Sequence, residues 1–328
     1  MPDIVTHATF AKDVCEKLED KKLSELIKNH EDLFYLGAQG PDVFFYNDFQ
    51  PTRKQKRGPK VGSMMHVNKV RDFFIEAFNY IKFNYDERLY VYMLGFVCHH
   101  ALDRNAHPYI FHVTGEYDKT DHKTREFRGN HLRLERAIDS IFIKERWNEN
   151  KPSRFKVYHE ILKYKSMPDV FIPFFNKTLE KVYDVKDFGE VFIDATKDFK
   201  SYFKVIYDRH GIKKMLASIV DLIFNRKGAL VFRTMFYYKN VRNKVDYLNL
   251  ENRKWSHPVY PEETHNTSFL DMYSKGTEEA TSQFNIINQY IKDEKSKEEL
   301  SISIPDVSYS TGKDWRDTTR MTSFRSIF

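Results

Sequence analysis

The chain has two cysteines in 328 residues, Cys15 and Cys98. So few thiols, so far apart, exclude a disulfide framework and a thiolate zinc pattern. No stretch approaches the roughly 18 uninterrupted apolar residues of a membrane span. The first twenty residues carry Asp3, His7, Lys12 and Asp13, so no apolar signal core runs through them. On these grounds the chain reads as soluble and cytoplasmic. A Gly-rich phosphate loop ending in Gly-Lys-Ser/Thr is missing, as is the Gly-x-Ser-x-Gly turn of serine hydrolases, and no Ser/His/Asp nucleophile pattern takes their place. The charge excess is also slight: 53 basic against 47 acidic side chains, a formal +6. That is too little to argue for an extended nucleic-acid surface, although an anionic substrate or membrane surface is compatible with it.

What is present is a globular, aromatic-rich composition, 41% hydrophobic and 16% aromatic, with 28 Phe and 20 Tyr. Helical periodicity dominates and alternating strand patterns are scarce. Residues 64–84 place Val70, Phe73, Phe74, Ala77 and Ile81 at spacings of three and four, an amphipathic helix. The stretch from about Glu87 to Asn105 is apolar around most of its circumference (Leu89, Val91, Met93, Leu94, Phe96, Val97, Leu102), the mark of a central helix. Further helices are expected over 123–148, with Gly129 tolerated inside, and over 155–164, 170–183, 190–208, 211–226 and 268–293. No repeat, low-complexity linker or domain boundary interrupts them. The expected fold is all-α, a single multi-helix domain over 1–328, with chemistry in 1–135 and helical scaffold in 140–328.

Nine of the thirteen histidines fall within residues 1–131. His99 and Asp103 stand at i and i+4, so they share a helical face. His107 follows by four more and extends the stripe as far as the helix persists, and Pro108 is expected to end it there. His131 and Glu135 repeat the i, i+4 histidine–carboxylate pair. Such pairs suit zinc because both side chains converge from a rigid backbone. Burying His99, His100 and Asp103 in an apolar helix costs several kcal/mol, on the order of 2–7 per group, unless they are paired or metal-bound. A buried hydrogen-bonded His–Asp network answers the spacing as well as a metal does.

An ordered series of motifs narrows this choice: THATFA (6–11), LGAQGPDVF (36–44), MHVNK (65–69), GFVCHHALDRNAHPY (95–109) and GNHLRLE (129–135). It continues through WSHPVYP (255–261), SFLDMY (268–273) and SYSTG (308–312). The set, in this order, resembles the bacterial zinc-dependent phospholipase C family, whose fold is shared with the fungal single-strand-specific nucleases. The resemblance implies one zinc held by Asp42, His66, His99 and Asp103, and a second held by His107, His131 and Glu135. A third zinc of the family would take His7 together with Asp103 and the amine and carbonyl of an N-terminal Trp. This sequence departs there: it begins Met-Pro-Asp, has no Trp near its start, and places His7 close to the terminus. The gap from Asp103 to His107 is also shorter than in the secreted enzymes.

The resemblance further implies hydrolysis of a phosphodiester by metal-activated water, with Asp42 as the residue that orients or deprotonates that water. The expected substrate is a phospholipid or a related small diester, and contact with a membrane surface would follow from it. A single-strand nuclease on the same scaffold, or a metal-binding protein without turnover, are the competing expectations. His100, His112 and His122 are read as supporting or surface residues and Cys98 as a small core residue. The basic run Arg53, Lys54, Lys56, Arg57 and Lys60 lies between Asp42 and His66 and could meet an anion, or be a solvated loop. Phe44, Phe45 and Tyr46 either wall a pocket or fill the core. Trp255 and SFLDMY receive no chemical role.

Overall fold

The longest apolar stretch of the sequence builds the longest helix. The computed structural model describes residues 3–49, 57–224, 231–241 and 245–328, and among them the fold is all-α. The first part comprises α1 (Ile4–Glu16), α2 (Lys21–Asn29), α3 (Glu31–Gly37), α4 (Arg57–Val67), α5 (Val70–Phe83), α6 (Glu87–Thr114) and α7 (Asn130–Arg146). There follow α8 (Val157–Glu160), α9 (Phe171–Tyr183), α10 (Gly189–Val205), α11 (Ile212–Phe224), α12 (Phe269–Ile291) and α13 (Lys297–Ser303). A two-residue antiparallel pair, Trp255–Ser256 with Thr264–His265, is the only sheet among the described residues. No described helix is long and apolar enough to cross a membrane.

Helix α6 is 28 residues, about 42 Å at 1.5 Å per residue. Apolar on nearly all sides, it is buried from Leu89 to Asp103. Helices α1, α3, α7 and α12 pack around it. The crossing with α3 is close enough that a Cβ on Gly95 would lie 2.3 Å from the Phe34 carbonyl, so only glycine fits. The buried side chains form one contiguous cluster from Ile4 to Tyr309. Phe44, of the FFY run expected either to wall a pocket or to fill the core, belongs to it, edge-on to Phe175, Phe188 and Phe192.

Four sequence expectations need correction. Pro108 does not end α6, which continues six residues beyond it to Thr114. Proline removes the N–H that would bond the Arg104 carbonyl, and Gly312 packs against that carbonyl instead. The far end of α6 is held from outside as well: Arg325 N–H donates to the His112 carbonyl at 2.7 Å and Ile327 N–H to that of Val113 at 3.1 Å. The expected helix 64–84 is two helices, broken at Lys69 in a left-handed conformation (φ 47°). Tyr183 Oη donates to the carbonyl of Asn68 at 3.0 Å there, so the break leaves that group paired. The expected helix 123–148 starts only at Asn130, because Gly129 (φ 86°) turns the chain at its N-cap rather than sitting inside it. Of 155–164, only Val157–Glu160 is helical.

Candidate metal centre

Five separate elements deliver the site. His99, Asp103 and His107 stand in one stripe on α6, three successive i, i+4 positions. His7 comes from α1, and Asp42 from the 3-10 turn Gly40–Tyr46. His66 lies one residue from the end of α4, and His131 and Glu135 occupy the first turns of α7. The turn that carries Asp42 begins at Gly40, whose φ of +52° suits glycine and whose absent Cβ would strike the His99 ring at 2.3 Å.

These residues gather into three groups, each with ligand atoms within 4.8 Å of one another: Asp42, His66 and His99; His7, His99 and Asp103; His107, His131 and Glu135. His99 belongs to two groups, and Asp103 links to the third, its carboxylate lying 3.2 Å from His99 Nε2, 3.2 Å from His7 Nε2 and 3.7 Å from His107 Nδ1. In the second and third groups His7 stacks on His99 at 4.2 Å, and His131 Nε2 lies 2.7 Å from Glu135 Oε1. In the first, His66 Nε2 lies 3.0 Å from Asp42 Oδ1. All eight residues expected from the sequence are therefore brought together. Asp103 groups with His7, as expected for the third position, and is joined to the Asp42–His66 group through the shared His99.

The inner atoms of this cluster are buried without hydrogen bonds: both ring nitrogens of His7, Nε2 of His99 and His107, Oδ1 of Asp42 and both oxygens of Asp103. Leaving such atoms unsatisfied is strongly unfavourable, so a cation between them is the natural completion. The rings are aimed from behind. Nδ1 of His66, His99 and His107 face the carbonyls of Gly62 (2.7 Å), Ala38 (3.1 Å) and Tyr309 (2.8 Å). A carbonyl accepts, so each Nδ1 carries the proton and Nε2 turns its lone pair inward. Nitrogen and oxygen donors without thiolates are the set a catalytic zinc site uses. The residues fit the metal.

The charges agree. Burial opposes ionisation of Asp103, yet His107, His99 and His7 around it hold its carboxyl well below the usual range. Burial lowers His7 and pushes His107 well down, whereas the carboxylates of Asp103 and Asp42 outweigh burial and raise His99. His7 and His107 are thus kept neutral, the form that ligates. Burial also disfavours an ionised Glu135, but His131 beside it outweighs this and lowers its pKa.

Sequence reasoning missed the parts that hold the ligands in place. Tyr309, in SYSTG, accepts from His107, donates its N–H to the His66 carbonyl at 3.0 Å, and lays its ring against His66 and His100. Region 140–328 is therefore more than backing scaffold. On the other side, Asp139 of α7 accepts from the N–H groups of Val5 (3.1 Å) and Thr6 (2.8 Å), and buried Arg136 pairs with Asp3. These contacts fix α1, and with it His7, to the helix bearing His131 and Glu135. His100 is buried with Nε2 toward the Val307 carbonyl, and Cys98 is a core residue. His112 is buried and bonded to the Ser323 carbonyl, while His122 is exposed. Of the basic run, Arg53, Lys54 and Lys56 lie outside the described residues. Arg57 donates to the Lys186 carbonyl at 2.5 Å and Lys60 is exposed. Trp255 lies against the His265 ring at 4.6 Å, tilted by 33°, and Ser268 opens α12 with a reciprocal cap to Asp271.

Fold and site together define a helical protein with a cluster of histidine and carboxylate groups able to hold more than one metal ion. The sequence model of the zinc dependent phospholipase C family matches residues 6–185, more than half the chain and every one of the eight clustered residues. The chain belongs to that family. No curated protein and no solved structure matches it.

Proposed function

We propose that the chain is a zinc-dependent phosphodiester hydrolase of phospholipase C type, acting on a phospholipid or a related small diester. The observation that carries this is the convergence of three linked His/carboxylate groups, in which seven buried atoms of His7, Asp42, His99, Asp103 and His107 have no hydrogen-bond partner. On this reading Asp42, His66 and His99 hold one zinc, His107, His131 and Glu135 a second, and His7 with Asp103 offers a third position between them. Zinc so held supplies Lewis-acid charge to a phosphodiester and makes water acidic enough to be a nucleophile near neutral pH.

The chain's own residues do the rest. Asp42 lies at the outer edge of its group, its side chain 11% exposed, where a carboxylate can accept the proton of a water and orient it. His131, 29% exposed, marks the open side of the cluster. Phe45 tilts over His66 at 5.3 Å and Phe111 over His131 at 4.8 Å, apolar walls that limit water around a bound ester. The reading takes 1–328 as one functional domain, because segment 307–312, far beyond the matched residues, closes over the same histidines.

The test offers purified, zinc-loaded protein phosphatidylcholine, an aryl phosphodiester and single-stranded DNA in parallel, with Asp103→Ala as control. Turnover of the lipid or aryl ester that disappears in the variant supports the proposal. Preference for DNA would replace it with the nuclease reading. Silence on all three with zinc still bound would leave a metal-binding protein without turnover.

A further inference from the structure

Helix α11 is built inside out. Its sequence, IKKMLASIVDLIF, is amphipathic, but the apolar face points to solvent. Ile212, Met215, Leu216, Ile219, Leu222 and Ile223 are between 48 and 82% exposed. At 100° per residue these six fall within an arc of about 120°. Phe224, at 73%, extends the patch, as do Val205 and Phe232 alongside. The polar side faces the protein. Lys214 Nζ donates to the carbonyls of Phe236 and Tyr237, both at 3.1 Å, and buried Asp221 accepts from the N–H groups of Val231, Phe232 and Arg233. Nine of the fifteen large apolar side chains exposed among the described residues lie in this one patch. An apolar surface of that kind calls for a partner.

Charge says which partner. Residues 200–244 contain eleven Lys and Arg but two acids, Asp208 and Asp221, so this segment carries more positive charge than the whole chain's +6. Both acids are turned inward onto backbone N–H groups, Asp208 onto Gly211 and Lys214. Among the described residues Lys204, Arg209, Lys213 and Lys239 are exposed on α11 and the segments before and after it. An apolar helix face accompanied by cations complements the interface of an anionic bilayer, where acyl chains lie beneath negative headgroups. A protein partner would need only the apolar half of this pattern. We infer that the outward face of α11 docks on an anionic phospholipid membrane, Ile219, Leu222 and Ile223 entering the interface while the exposed Lys204, Arg209, Lys213 and Lys239 meet the headgroups. The patch lies outside the residues matched by the family. It connects to the metal centre through the 231–238 segment, whose Tyr237 Oη donates to Asp139 of α7 at 3.0 Å. Its use rests on the proposed lipid substrate, whereas its binding does not.

The experiment is flotation of the full, zinc-loaded chain with vesicles of phosphatidylcholine containing about one-third phosphatidylglycerol, with released phosphorylated headgroup measured in the same samples so that any lipid turnover is seen. Wild-type protein is expected to float with these vesicles and several-fold less with pure phosphatidylcholine or in high salt. Ile219→Ser/Leu222→Ser, both at exposed positions, should keep its melting temperature and lose about tenfold or more of the partitioning. Equal flotation of the double variant would overturn the inference. So would a wild-type dimer that the variant makes monomeric while vesicles bind neither. Turnover of a soluble aryl phosphodiester separates the two proposals. Flotation without turnover sinks the hydrolase reading alone, and turnover without flotation sinks the docking surface alone.

Discussion

Stripping metal should destabilise the fold by a large and measurable amount. Seven buried inner atoms, contributed by His7, Asp42, His99, Asp103 and His107, have no hydrogen-bond partner. Metal that binds these atoms in the native state and not in the unfolded chain stabilises by RT ln(1 + [L]/Kd), about 4 kcal/mol per site at a thousandfold excess over Kd. Two such sites give roughly 8 kcal/mol. A chain of this length loses about 2 °C per kcal/mol, so the melting temperature should fall by about 15 °C when zinc is exchanged for EDTA. Scanning calorimetry with metal content measured on the same sample reads both quantities. Asp103→Asn keeps the shape but removes the charge that His7, His99 and His107 surround, so it should lower the zinc count and shrink the EDTA effect. The reasoning fails if the untreated protein carries less than one zinc per chain and EDTA moves the transition by no more than a degree or two. The cluster would then be a polar network completed by water, the alternative the His–Asp spacing left open.

Three further outcomes follow from particular contacts. In the metal-free protein, burial lowers His7 and pushes His100 and His107 well down, while His99 is raised because Asp103 and Asp42 outweigh its burial. The three lowered rings bind fewer protons than the unfolded chain just below their normal pKa of about 6.5, so stability should fall as pH drops through that range and recover toward neutrality. His112 and His257, also lowered by burial, add to the trend, while His99 and the buried carboxyls Asp3 and Asp139, the latter raised to about 8, oppose it. The lowered rings outnumber these, and urea titrations of EDTA-treated protein at pH 5 to 7.5 would show an opposite slope if the assignment is wrong. Gly40→Ala should cost about 1–2 kcal/mol through its left-handed backbone. Its Cβ also displaces the His99 ring, so a variant that retains the full zinc complement would count against the placement of Asp42 and His99. Tyr309→Phe should leave zinc binding intact, since the ring and backbone remain, whereas Tyr309→Pro removes the N–H that reaches the His66 carbonyl and should lower both zinc content and thermal stability.

The contrast between those two Tyr309 variants shows why the sequence disclosed some of this site and concealed the rest. The α6 stripe was legible because side-chain identity and helical spacing carry it: His99, Asp103 and His107 recur every four residues on a segment apolar enough to be central. Asp42, His66 and His7 sit on three other elements, so no local spacing marks them, and only the ordered motif series pointed to them. The groups that aim the rings were invisible for a deeper reason. Gly62, Ala38, Tyr309 and Val307 act through their carbonyls, which every residue possesses, so no residue type signals them. The same logic explains Pro108. Sequence predicts a helix end from the missing N–H, but here Gly312 packs on the freed carbonyl and Arg325 and Ile327 tie down the last turn, from more than 200 residues away. Lys69 breaks a helix its periodicity favours because Tyr183 satisfies the Asn68 carbonyl exposed at the break. Helix α11 is the reverse case: a helix was expected over 211–226, but an amphipathic sequence gives only the angle between two faces, and which one meets solvent is set by the carbonyls and N–H groups that Lys214 and Asp221 find inside. Periodicity thus located the elements, and the orientation of each was decided by backbone groups distant in sequence.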